Sequence, residues 1–210
     1  MAIKVKVCGM RQSSNIGELV KLTPDFIGFI FYSKSKRFIG EIIPNEIQLL
    51  IPDLIRKVGV FVDEPFESLI EKFYQSNLNM VQFHGIESPD YCKRVKELNI
   101  PVIKAFSITP DFDFLTVNPY NEFCDYFLFD TATELRGGSG LKFDWDILNQ
   151  YTGSQPFFLS GGIQLTDLGE IGNLLHDKLY AVDVNSGFEI EPGLKDISKL
   201  APFIDRLREY

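Results

Sequence analysis

Cys8 and Asp130 are a potential base and a potential acid, the minimal pair for moving protons on and off a small substrate. Each directly follows a short strand-like run, the alternating Ile3–Val7 for the thiol and the apolar Asp125–Phe129 for the carboxylate. A lone cysteine is ordinarily a packing residue and a lone aspartate a turn cap. Position changes that weighting, because groups at the ends of buried strands face whatever site the fold builds there. Asp63, His84 and Ser107 stand at similar run ends. Arg37 closes the cationic loop Lys34-Ser35-Lys36-Arg37, and its guanidinium could hold a carboxylate through two parallel hydrogen bonds. His84 and Asp183 read equally as ligands or as internally satisfied polar residues.

A second kind of chemistry is written in glycine. Phe157-Phe158-Leu159 ends in Ser160-Gly161-Gly162, and Tyr180–Val184 ends in Asn185-Ser186-Gly187. Small residues there let backbone N–H groups approach a ligand, and successive N–H groups form an anion-binding concavity. Gly161, Gly162, Asn185, Ser186 and Gly187 are therefore candidates for a phosphate grip. A third small-residue loop, Gly137-Gly138-Ser139-Gly140, follows Asp130. Ordinary loop turns use the same residues; two such turns at matching strand ends are the more telling observation.

These residues need elements to position them. Ile3–Val7, Phe26–Phe31, Lys57–Val62, Met80–Phe83, Pro101–Phe106, Asp125–Phe129, Phe157–Leu159 and Tyr180–Val184 read as strands. The near-continuous apolar character of Phe26–Phe31 is that of a parallel strand buried on both faces. Between them lie helix signals. Ser13 or Ser14 could cap the first, Pro44 suits the start of the second, Pro65 opens the third and Ser88-Pro89 the fourth. Pro110–Glu122, with Asn118-Pro119 inside it, predicts only a short or irregular helix. A helix is expected from about Asp144, and a last one from about Lys195 to Arg208. Strict strand–helix alternation demands a parallel sheet, and eight such units closing on themselves make a (β/α)8 TIM barrel of α/β class. An open doubly wound sheet is the competitor, but no G-x-G-x-x-G follows the first strand. No composition shift divides residues 1–210, so a single domain is expected. In such a barrel the loops after strands 7 and 8 are the usual phosphate site.

Composition bounds the partners. The chain has 210 residues and a formal net charge of −8, which argues against nucleic acid as the main partner. No run reaches the ~18 apolar residues of a membrane span, and Met1–Met10 does not read as a secretory signal. Cys8, Cys92 and Cys124 form no disulfide framework or zinc pattern and suit a reducing cytoplasm. His84 and His176 are too few and too separated for a metal site. No cofactor is expected.

The ordered runs Lys6-Val7-Cys8-Gly9-Met10-Arg11, Gly28–Phe31 with Ser33–Arg37, Val81-Gln82-Phe83-His84-Gly85, Phe129-Asp130-Thr131, Gly137–Gly140 with Phe143-Asp144-Trp145, Leu159–Ile163 and Val182–Gly187 cover nearly the whole chain. As a set they resemble phosphoribosylanthranilate isomerase, a barrel enzyme of tryptophan biosynthesis; Ser107–Cys124 carries no matching motif. The resemblance implies a cofactor-free Amadori rearrangement of N-(5'-phosphoribosyl)anthranilate by a monomer or homodimer. It implies Asp130 as acid and Cys8 as base, both with shifted pKa values. It implies Arg37 on the anthranilate carboxylate, and the phosphate on Gly162, Ser186 and Gly187, with the Gly138-Ser139-Gly140 loop closing nearby. The sibling isomerase of histidine biosynthesis handles a substrate with two phosphates. Acidic Asp63 and Glu64 in the first half of this chain disfavour a second phosphate. A non-catalytic sugar-phosphate-binding barrel would keep the glycine turns but has no need of the thiol and carboxylate.

Overall fold

The computed structural model describes residues 2–131, 144–174 and 176–210. Eight parallel strands close into a barrel: β1 Lys4–Cys8, β2 Phe26–Ile30, β3 Arg56–Phe61, β4 Met80–Phe83, β5 Val102–Ile108, β6 Tyr126–Thr131, β7 Phe157–Leu159 and β8 Leu179–Val184. Closure is direct, with Val5 beside Val182 and Lys6 beside Asp183 in the β1–β8 pairing. Every expected strand is present to within two residues at either end.

Side chains alternate across each strand, so a barrel strand feeds two cores. Phe26, Val58, Met80, Ile103, Ala105, Leu128, Phe158 and Ala181 fill the interior. Val5, Val7, Phe29, Val81, Phe83, Phe127, Phe129, Val182 and Val184 face outward onto the helical layer. Toward the strands' N-terminal end the interior is aromatic. Phe158 packs edge-on against Phe26 at 5.3 Å and Tyr126 at 5.5 Å, and Tyr126 lies 4.7 Å from Tyr180. This plug leaves the opposite end for polar groups.

The helices are α1 Ser13–Leu19, α2 Asn45–Gln48, α3 Phe66–Gln75, α4 Pro89–Lys96, α5 Leu168–Asn173 and α6 Ile197–Leu207. In α4 the Ser88 hydroxyl accepts from the Tyr91 N–H, and Pro89 occupies the first turn where no donor is needed. In α6 Asp196 accepts from the N–H groups of Ser198 and Lys199, while Leu200, Phe203, Ile204 and Leu207 turn inward. Three local expectations are corrected. Ser13 is already helical and Gln12 is the cap position, with no side-chain cap bond. The sixth connection winds as a 3₁₀ turn, Trp145–Gln150, capped by Asp144. Lys195 precedes the last helix, in a two-stranded hairpin of β9 Glu189–Glu191 and β10 Leu194–Lys195. Before β6, Phe114–Tyr120 is also 3₁₀, in keeping with Pro119, which lacks an amide donor.

Candidate active site

Cys8 is the last residue of β1, and Lys6, two residues earlier, points the same way, into the barrel. The Lys6 side chain is fully buried and its Nζ lies 2.8 Å from Asp183 Oδ2. The same ammonium acts electrostatically on the Cys8 thiol, two residues along the strand. Burial alone would pull the Lys6 pKa down, but Asp183 and Cys8 outweigh it and hold the ammonium charged. Burial pushes the Cys8 thiol up; Lys6 and Lys195 oppose the rise, Asp183 adds to it, and the net direction is upward. Asp183 is likewise pushed up by burial against the pull of Lys6. Among the described residues its Oδ1 is buried without a hydrogen-bond partner.

The wall beside the thiol is glycine for a steric reason. Gly28 pairs with Cys8 across β1–β2, and a Cβ there would stand 2.8 Å from Cys8 Sγ. Gly9 has φ +80°, and a Cβ on it would lie 2.7 Å from Arg37 Cδ and 2.9 Å from Asn185 Oδ1. Arg37 and Asn185 therefore both pass directly over the turn that follows Cys8.

Asp130 sits near the C-terminal end of β6, with its Oδ2 3.3 Å from His84 Nε2. The other ring nitrogen of His84 is 3.2 Å from Gln82 Nε2, so Gln82, His84 and Asp130 run in series from β4 to β6. Asp183 feels the charges of both Asp130 and His84 as well as that of Lys6.

The two glycine turns meet. Gly161 and Gly162 have φ of +99° and +64°, which only glycine adopts freely. A Cβ on Gly187 would stand 2.1 Å from the Ile163 carbonyl oxygen, so the turn after β8 is packed onto the turn after β7. Ser186 opens a 3₁₀ turn, Ser186–Phe188. The Asn185 side chain is occupied sideways, its Oδ1 accepting from Lys195 Nζ at 2.7 Å. Arg37 is also engaged: Nε and Nη2 donate to Glu189 at 2.9 and 2.6 Å. That hydrogen-bonded pairing raises the Arg37 pKa above its ordinary value. Gly138, Ser139 and Gly140 lie outside the described residues. Of the other strand-end candidates, Asp63 accepts from the Ile86 N–H at 2.7 Å and organises the turn after β4, and Ser107 is exposed.

A sequence model of the family described as N-(5'-phosphoribosyl)anthranilate (PRA) isomerase matches residues 5–206. The chain belongs to the phosphoribosylanthranilate isomerase family. An N-(5'-phosphoribosyl)anthranilate isomerase of Parabacteroides distasonis is 47% identical over 205 residues, 97% of this chain and 92% of that one. The phosphoribosylanthranilate isomerase crystal structure from Thermotoga maritima superposes with a TM-score of 0.88 at 33% identity, covering 99% of this chain and 100% of the other. A further isomerase structure, in complex with reduced 1-(o-carboxyphenylamino)-1-deoxyribulose 5-phosphate, gives 0.84 at 31% identity, with 99% and 100% covered.

Lys6, Gln82, Glu189 and Lys195 are site residues that reading the sequence of this isomerase-family chain missed. Two had a signal. Lys6 shares the two-residue period of Cys8, and Gln82 that of His84, so each was due on the same face of its strand. Glu189 and Lys195 had none beyond their nearness to the β8 turn.

Proposed function

We propose that this chain catalyses the isomerisation of N-(5'-phosphoribosyl)anthranilate to 1-(o-carboxyphenylamino)-1-deoxyribulose 5-phosphate, with Asp130 as acid and Cys8 as base. Asp130 gives a proton to the furanose ring oxygen, the C1–O bond opens, and the nitrogen lone pair makes an iminium. Cys8 then takes the proton from C2, and the electrons of that C–H bond form an enolamine, which tautomerises to the ketone. The observation that carries this reading is that a thiol on β1 and a carboxylate on β6 stand at the same, C-terminal, end of the barrel strands. In the free protein burial keeps the thiol protonated. A bound iminium adds a positive charge to that of Lys6 and favours the thiolate when the base is needed.

The remaining contacts extend the same reading to the residues that the resemblance implies. Arg37 would take the anthranilate carboxylate, His84, Asp183 and Asn185 would border the sugar, and the paired turns Gly161-Gly162 and Ser186-Gly187 would take the phosphate on backbone N–H groups. No helix among the described residues is long and apolar enough to cross a membrane, which fits a cytoplasmic enzyme. The chain would act as a monomer or a homodimer, which sedimentation at two concentrations distinguishes. The deciding experiment is loss of phosphoribosylanthranilate fluorescence on adding the purified protein. Retained binding of the sugar phosphate with no turnover would mark a binding barrel instead.

A further inference from the structure

We propose that Glu189 is a positioning residue for the reaction: it fixes the Arg37 guanidinium by one edge so that only the other edge meets the substrate carboxylate. The inference rests on the reading of Arg37 given above. A guanidinium offers two bidentate faces, Nε with Nη2 and Nη1 with Nη2. Glu189 occupies the first, with Oε1 2.9 Å from Nε and Oε2 2.6 Å from Nη2. The Nη1 edge is the face left for a ligand.

Glu189 cannot turn away from this duty. Its Oε1 also accepts from Lys195 Nζ at 2.6 Å and from the Gly193 N–H at 3.0 Å. The hairpin that carries these groups is bolted to α1, because Asn15 donates to the Lys195 carbonyl at 2.9 Å and accepts from its N–H at 2.8 Å. On the other side Arg11 Nη1 donates to the Lys36 carbonyl at 2.7 Å, steadying the loop just before Arg37. Lys195 reaches onward to Asn185 in the β8 turn. One buried carboxylate thus ties the residue proposed for the carboxylate end of the substrate to the turn proposed for its phosphate end. The side chains of Arg37, Glu189 and Lys195 are 12%, 5% and 0% exposed, so water does not compete for these bonds. Two cations around one anion leave the cluster with a positive surplus, suited to a ligand that brings its own carboxylate.

The test is steady-state kinetics with N-(5'-phosphoribosyl)anthranilate on Arg37→Ala, on Glu189→Gln, on Glu189→Gln with Lys195→Met, and on each Glu189 variant in the Arg37→Ala background. The Glu189/Lys195 double variant removes one charge of each sign and guards against a folding defect, which thermal melting monitors. Arg37→Ala is expected to raise KM roughly 30- to 150-fold, and the Glu189 variants about 10-fold with kcat within about 3-fold, as a misaligned but present Arg would. In the Arg37→Ala background the Glu189 effect on KM should vanish, because Glu189 acts through Arg37. The proposal is overturned if Arg37→Ala raises KM and the Glu189 variants do not, or if the Glu189 effect persists undiminished without Arg37. A normal KM for Arg37→Ala would instead remove the reading of Arg37 itself, and the role of Glu189 with it.

Discussion

The two ends of the barrel interior use the same strands for opposite purposes. At the N-terminal end Phe26, Tyr126, Phe158 and Tyr180 interlock through edge-on and tilted ring contacts. The Tyr126 phenol there is pushed up to about 12, chiefly by burial and further by the neighbouring Tyr180 phenol, so it stays neutral across the physiological range. A few residues further along the strands the interior holds a buried lysine, a buried aspartate, a thiol, an imidazole and a second carboxylate. Apolar contact holds the first end. The second places charge where transfer from water costs most and offsets the cost by pairing. The contrast teaches that stability and chemistry are separated along the barrel axis, and substitutions should separate with them.

The largest effect should come from the polar end. Cys8→Ala and Asp130→Asn are each expected to lower kcat by about 10²- to 10⁴-fold while substrate binding is largely kept. The double variant should lose less than the product of the two factors, since both groups serve one reaction path. Wild-type turnover in both single variants would leave the thiol and carboxylate without a catalytic role. The aromatic end should answer in the other currency: Phe158→Ala, fully buried, should cost about 3–5 kcal/mol in denaturant unfolding. Its kcat per folded molecule should stay within about 2-fold. A large loss of kcat at unchanged KM in folded Phe158→Ala would mean that the two ends are not independent.

A smaller effect is expected where the glycine turns meet. Gly187→Ala would set a methyl 2.1 Å from the Ile163 carbonyl oxygen, a backbone atom, so one turn must move away from the other. Inhibition by inorganic phosphate should weaken about 10-fold, with kcat changed less. Unchanged phosphate inhibition would take the phosphate away from these turns.

Most strands were legible because parallel strands buried on both faces are near-continuous apolar runs, and β1 because it alternates; the strand ends then nominate Cys8, His84, Asp130 and both turns. Asp130 proved to lie inside β6 and not after it, since the strand continues to Thr131. Lys6 shares the face of Cys8 in the alternation, but its burial was illegible for a reason built into barrels. Alternation such as Lys4-Val5-Lys6-Val7 normally means a strand with one wet face. Here Lys6 instead points into the barrel interior, where Asp183 meets its charge. Only the partner strand, 177 residues away, reveals this. The hairpin was misread as the start of a helix because its strands are two and three residues long. Neither is long enough to show a period.

Lys6 gives the finest test of the polar end. Cys8 is faced by Lys6 on its own strand, Asp183 on β8, Lys195 on β10 and Arg37 above Gly9. Burial raises the thiol above its ordinary value of 9.0, so the rate of Cys8 alkylation by a small neutral reagent should still be climbing at pH 9 in the free protein. Cys92 and Cys124 are also buried free thiols, so the modification is read at the Cys8 peptide by mass spectrometry. Lys6→Met removes the nearest cation and must move the profile to higher pH, slowing alkylation at pH 8 about 10-fold, which corresponds to about one pKa unit. Lys6→Met with Asp183→Asn removes the opposing anion as well, and should bring the profile back toward that of the wild type. That reversal distinguishes an electrostatic cause from a change in access: loosened packing would speed alkylation at every pH in both variants. If Lys6→Met leaves the profile in place, the ammonium beneath Cys8 only fills the barrel, and the polar end resembles the aromatic end more closely than its charges suggest.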